Sequence, residues 1–170
     1  MIGLQRGTVK LVPHSEQWHR LFAEEETQLR DAIGAQVVAI EHVGSTAVCG
    51  LSAKPVIDIA VAVREIADAG KCVRQLEGIG YQARGERGIP GRQYFTKGDP
   101  RTHHLHMVES GGDLWRSHLL FRDYLRQHPE VAQEYENLKT ELARKHTENR
   151  EAYTEGKAAF IEGVLKAASR

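Results

Sequence analysis

The stretch Lys-Pro-Val-Ile-Asp-Ile-Ala-Val-Ala-Val at positions 54–63 constrains the fold more than any other part of the chain. A near-continuous apolar run rich in β-branched residues spells a strand covered on both faces, and so the centre of a sheet. One carboxylate, Asp58, interrupts it. A buried ion is expensive unless it is paired, hydrogen-bonded or bound to a metal. Strand alternation puts Val56, Asp58 and Ala60 on one face and Ile57, Ile59 and Val61 on the other. The isoleucine face suits a covering of helices; the Asp58 face must look onto something polar.

Two places in the sequence supply that partner. Lys54 lies on the loop entering the strand. In "HHLHMVE" (103–109), His104, His106 and Val108 share one face, and His103, Leu105 and Met107 the other. Leu105 and Met107 are core residues, so His104 and His106 point away from the core together. If the two strands are neighbours, Asp58, His104 and His106 converge. A carboxylate with two imidazoles suits one divalent metal such as Zn, Mn or Fe, and Mg less well, because Mg prefers oxygen ligands. The same set serves as anion-binding donors when the imidazoles are protonated, or as a structural Asp–His seam in the sheet.

Upstream, Gly44 permits a turn with positive φ and lets a ligand approach the backbone. Ser45 and Thr46 are then expected to open a short helix reaching Leu51, whose free N–H groups would hold phosphate oxygens. An ordinary capped turn has the same spelling. The stretch "RGERGIPGRQYFTKGDPR" (84–101) sets Arg84, Arg87, Arg92, Lys97 and Arg101 against Glu86 and Asp99. It reads as a phosphate-gripping loop or as a solvated hairpin. Arg92 and Tyr94 share a strand face and are expected to enter the cleft; Arg87 and Lys97 are expected in solvent.

The remaining chain has helical periodicity: a first helix from Ser15 to Gly34, one over 65–80, and three after Gly112, with Pro129 breaking the first of these three. "ENLKTELARKH" reads as a charged outer face. Arg122, Tyr153 and Lys157 lie beside apolar stripes, and spacing alone does not decide whether they reach the site. The 170 residues hold 41% hydrophobic side chains, enough for one domain over 1–170. Lys+Arg and Asp+Glu balance at 23 each, which gives no footprint for nucleic acid or membrane. Cys49 and Cys72 form no motif, which suits free thiols in a cytoplasmic protein. The expectation is an α+β fold: a mixed sheet of about five strands, an N-terminal helix and a helical C-terminal half.

"IEHVGSTAVCGLSAKPVIDIAVAV", "GIPGRQYF", "RTHHLHMVE", "FRDYLRQHPE" and "AYTEGKAAFI" together resemble the GrpB family over nearly the whole chain. The resemblance implies a nucleotidyltransferase-like fold, found alone or fused to dephospho-CoA kinase. That superfamily's pattern is a Gly-Ser turn followed by a strand bearing two acids one residue apart, which hold two metals that clamp a nucleotide triphosphate. Gly44-Ser45 matches the turn and Asp58 the first acid, but Ala60 stands where the second belongs, and histidines stand near the place of the third. Cys49 stands where the family usually has proline. The function expected is a nucleotidyltransferase-like protein that binds or acts on a nucleotide or another phosphorylated small molecule. In the enzyme reading Asp58 and Lys54 are catalytic, Gly44, Ser45, Thr46, Arg92 and Tyr94 bind substrate, and Asp58, His104 and His106 hold one metal. The alternative is a nucleotide-sensing module without turnover. The neutral charge and the lack of an aromatic, basic platform argue against nucleic acid.

Overall fold

The computed structural model describes residues 2–170. Helix α1 (Gln17–Ile33) leads into β1 (Val37–Val43), and a 3₁₀ turn (Ser45–Ala47) and loop lead to β2 (Ile57–Val63). Next come α2 (Ala69–Gly78), β3 (Tyr81–Ala83), β4 (Gln93–Lys97) and β5 (His103–Glu109), and then α3 (Asp113–Gln127), α4 (Pro129–Lys145) and α5 (Arg150–Ala168). The five strands form one sheet in the order β1-β2-β5-β4-β3, with β2 and β5 parallel and the other pairs antiparallel. The mixed α+β architecture is the one expected. β2 begins later than Lys54 because Pro55 has no N–H to give the ladder.

Strand alternation divides the molecule into layers. Ile57, Ile59, Val61, Leu105 and Met107 pack with Trp18, Leu29 and Ile33 of α1 and with Cys72 and Leu76 of α2, forming the main core. Burial of this size supplies most of the stabilisation, at roughly 25 cal/mol per Å² of apolar surface. A smaller core on the C-terminal side joins Val48 and Leu51 to Leu125 and Tyr135. Arg122, buried on α3, ties this layer to β1 by donating to Glu41 Oε2 at 2.5 Å and to the His42 carbonyl at 3.0 Å. Among the described residues no helix is long and apolar enough to cross a membrane.

Candidate functional site

The face of β2 and β5 turned away from α1 and α2 forms the wall of a cleft of about 710 Å³, closed on its other side by α4 and the first turns of α5. Gly44, Ser45, Thr46, Lys54, Asp58, Arg92, Tyr94, His104 and His106 all line it. Register brings them together: Asp58 lies beside His104, Ala60 beside His106, and His106 beside Tyr94.

Asp58 is the hub. His104 Nδ1 and His106 Nε2 approach its Oδ1 at 3.4 and 3.3 Å. The Arg92 guanidinium, which can only donate, reaches His106 Nδ1 at 3.2 Å. That contact assigns the His106 tautomer: Nδ1 accepts from Arg92, and Nε2–H donates to Asp58. Burial pushes the Asp58 carboxyl up, but the hydrogen bonds from His104 and His106 outweigh it and hold the group well below the usual carboxylate range. The side chain keeps 31% exposure, so the anion remains reachable from the cleft. Burial also lowers His104, against the pull of Asp58, and its Nε2 finds no partner among the described residues.

As arranged, these residues do not fit a metal ion. Both ring nitrogens of His106 are engaged, and coordination at Nε2 would place a proton on Nδ1 facing the Arg92 donor. The second acid of a two-metal site is missing as well. Ala60 is fully buried, and Glu41, its neighbour on β1, is tied to Arg122.

Gly44 has φ 72°, and a Cβ there would stand 2.8 Å from Asp58 Oδ2, so both backbone conformation and space require glycine. The segment after it departs from expectation. It is a three-residue 3₁₀ turn, too short to present a helix terminus to phosphate. Thr46 is buried with its hydroxyl 2.9 Å from His42 Nε2. His42 stacks on Phe22 at 4.8 Å, and its pKa is lowered to about 3, mainly by burial, so it stays neutral. Ser45 Oγ accepts a hydrogen bond from Lys139 Nζ at 3.1 Å.

Lys139 corrects the sequence reading of α4 as a merely charged helix. It is 1% exposed, stands 4.9 Å over the Tyr135 ring and also donates to the Ser52 carbonyl. Its spacing from Tyr135 and Leu142, the other buried residues of α4, was the available signal. Lys54 and Lys157 lie over the Tyr153 ring at 5.2 and 4.4 Å. Burial lowers all three: Lys54 to about 8, with Arg150 adding repulsion; Lys139 to about 8; and Lys157 to about 7, with Lys54 and Lys139 adding repulsion. Arg87 and Arg150 also line the cleft, whose acids are Asp58, Glu151 and Glu155. Sequence reasoning also missed His118 of α3, whose ring lies 5.0 Å from His106 and whose pKa burial lowers to about 4.

The basic stretch 84–101 is not one gripping loop. Arg84 donates to Thr96 and Gln82, and buried Arg101 pairs its backbone with Leu4. Lys97, expected in solvent, instead donates to buried Glu25 at 2.8 Å, which also accepts from the Tyr81 hydroxyl. Arg92 is largely occupied by the Glu86 and Arg87 carbonyls, by His106 and by the Tyr94 ring, 4.6 Å away, so it organises the cleft wall more than it offers free donors.

Comparison with known proteins agrees with this architecture. The chain is 44% identical to the UPF0157 protein YqkA of Bacillus subtilis over 142 residues, covering 83% of this chain and 41% of that relative's length. The crystal structure of GrpB from Enterococcus faecalis superposes with a TM-score of 0.87 at 37% identity, covering 94% of this chain and 96% of the other. Terminal uridylyl transferase 4 from Trypanosoma brucei, with bound CTP, superposes at 0.52 with 14% identity over 94% of this chain and 52% of that one, which shows a shared nucleotidyltransferase-like fold. The GrpB protein family pattern matches residues 8–167, so the Gly44 turn, Asp58 and the paired histidines are described within a chain that belongs to the GrpB family.

Proposed function

We propose that the cleft binds a nucleotide or another phosphorylated small molecule, with its phosphates on Lys54, Lys139 and Lys157. The observation that carries this reading is that three lysines, Lys54, Lys139 and Lys157, line one open space. Their charges are costly where they stand, and an anion between them would relieve burial and mutual repulsion together. Ser45 adds a hydroxyl to the same corner. Asp58 stays an anion at neutral pH and would repel phosphate, so it favours a ligand that sets a hydroxyl, not a phosphate, beside β2. A sugar phosphate or nucleotide has both groups.

A sensing module without turnover is the second reading, and Ala60 favours it, since one carboxylate cannot build a two-metal clamp. Calorimetric titration with CTP, ATP, CoA and the bare nucleosides, in the presence of a chelator, tests the binding claim. Binding of phosphorylated ligands but not nucleosides is expected; equal affinity for both, or binding of neither, would refute it. Incubation of the bound nucleotide with wild-type and Asp58→Asn protein then separates the readings. Turnover lost in the variant marks an enzyme, and binding without turnover in both marks the module.

A further inference from the structure

A second cluster of ligand-type side chains lies outside the cleft. Among the described residues, His14, His19 and Cys49 form a trio whose donor atoms all lie within 4.8 Å of one another. His14 precedes α1, His19 sits in its first turn, and Cys49 lies on the loop between Ala47 and β2. We propose that these three residues bind one zinc ion, whose fourth position a water or, after a rotamer change, the exposed Glu16 carboxylate beside His14 would fill.

Three observations carry the assignment. His19 Nε2 and Cys49 Sγ are 3.6 Å apart. Zinc–nitrogen and zinc–sulfur bonds of about 2.0–2.1 and 2.3 Å put neighbouring ligands of a tetrahedral ion about 3.4–3.6 Å apart. This pair already has that separation. His14 has a side chain only 13% exposed, and both its ring nitrogens are buried without a hydrogen bond among the described residues. A buried imidazole with two unsatisfied nitrogens is destabilising, and a metal on its lone-pair nitrogen would remove that half of the deficit, leaving the N–H of the other. Glu16 Oε1 lies 3.4 Å from His14 Nε2, so a fourth donor of suitable charge stands at the edge of the trio. Two imidazoles, a thiolate and a carboxylate form a borderline-soft set that suits zinc and disfavours magnesium and calcium. Cys49 is exposed, which gives the ion a way in. On binding, the Cys49 sulfur exchanges its proton for the metal, and the proton leaves to solvent.

The site has a structural role in this geometry. It joins the segment before α1 to the loop after the Gly44 turn. The His19 ring lies 5.4 Å from that of His42, whose Nε2 meets the Thr46 hydroxyl at the cleft. The ion would therefore stiffen the wall carrying Gly44, Ser45 and Thr46. The inference stands apart from ligand binding in the cleft, because its test uses the metal alone.

Cobalt(II) titration of reduced, metal-free protein tests it. One equivalent is expected to produce the intense visible bands of tetrahedral cobalt and a near-ultraviolet thiolate-to-cobalt band, both removed by added zinc. Cys49→Ser, at an exposed position, should abolish the thiolate band. His19→Gln should weaken binding by roughly tenfold or more as a ligand is lost, with circular dichroism confirming the fold. A weak octahedral spectrum, or a thiolate band that persists in Cys49→Ser, would overturn the proposal. The spectrum should survive Asp58→Asn; its loss there would move the metal into the cleft and refute the assignment equally.

Discussion

Lys139 follows Tyr135 by four residues and precedes Leu142 by three, so it lies on the stripe that α4 buries against its neighbours. Its ammonium group is satisfied by Ser45 and the Ser52 carbonyl, but among the described residues no carboxylate is in direct contact with it. Lys139→Met keeps the stem volume and removes the buried charge, so stability should hold or rise. Affinity for a phosphorylated ligand should fall about 10- to 100-fold, the worth of one charge-assisted hydrogen bond, as read by calorimetry. Lys97 behaves oppositely, because its partner Glu25 is 3% exposed and depends on it. Lys97→Met leaves the buried Glu25 carboxylate without its lysine, held only by the Tyr81 hydroxyl with His103 3.7 Å away, and should cost roughly 1–3 kcal/mol in denaturant unfolding, most of it recovered by adding Glu25→Gln. An unchanged midpoint in the single variant would contradict this. Asp58, His104 and His106 were legible in the sequence because strand alternation is a local rule that needs only the identity of the run. Lys97 was not, because its partner lies 72 residues away on α1.

At the level of elements, the order of strands and helices followed from apolar periodicity, and the boundaries followed from prolines and glycines. The 3₁₀ turn after Gly44 did not, since three residues carry no period to read. The roof of the cleft was the larger gap. α5 brings Arg150, Tyr153 and Lys157 to the site, and Asn149 Oδ1 caps it by accepting the Ala152 N–H at 3.0 Å. No spacing within α5 says which sheet face it will cover. Its seat on α4 is close: a Cβ at Gly156 would fall 2.5 Å from Leu142 Cδ2. Gly156→Ala therefore forces the end of the flexible Leu142 side chain to turn, a cost that should cancel the roughly 1 kcal/mol helix-propensity gain of alanine and lower the midpoint slightly. A thermal melt with an unchanged or raised midpoint would show that the two helices are not packed this tightly.

For the whole molecule, a formal net charge of zero conceals a cleft in which cations outnumber acids. Balanced composition removes the usual footprint of an anion-binding protein and leaves only the local clustering of cations as its mark. Lys54, Lys139 and Lys157 have folded pKa values near 8, 8 and 7, below the value of a free lysine. The unfolded chain therefore binds more protons between about pH 7 and 10. Their destabilising effect is full below pH 7 and is relieved as pH rises, so the ligand-free protein should gain stability from pH 7 to 9 in denaturant melts. A fall over that range would contradict the lowering. Bound phosphate should reverse the slope, because it favours the protonated lysines. Calorimetry of a nucleoside triphosphate at pH 8, in buffers of different ionisation enthalpy, reads this coupling directly. Binding with net uptake of roughly one to two protons is expected from three half- or mostly deprotonated lysines; binding without proton uptake, or with release, would show that these lysines do not receive the phosphates.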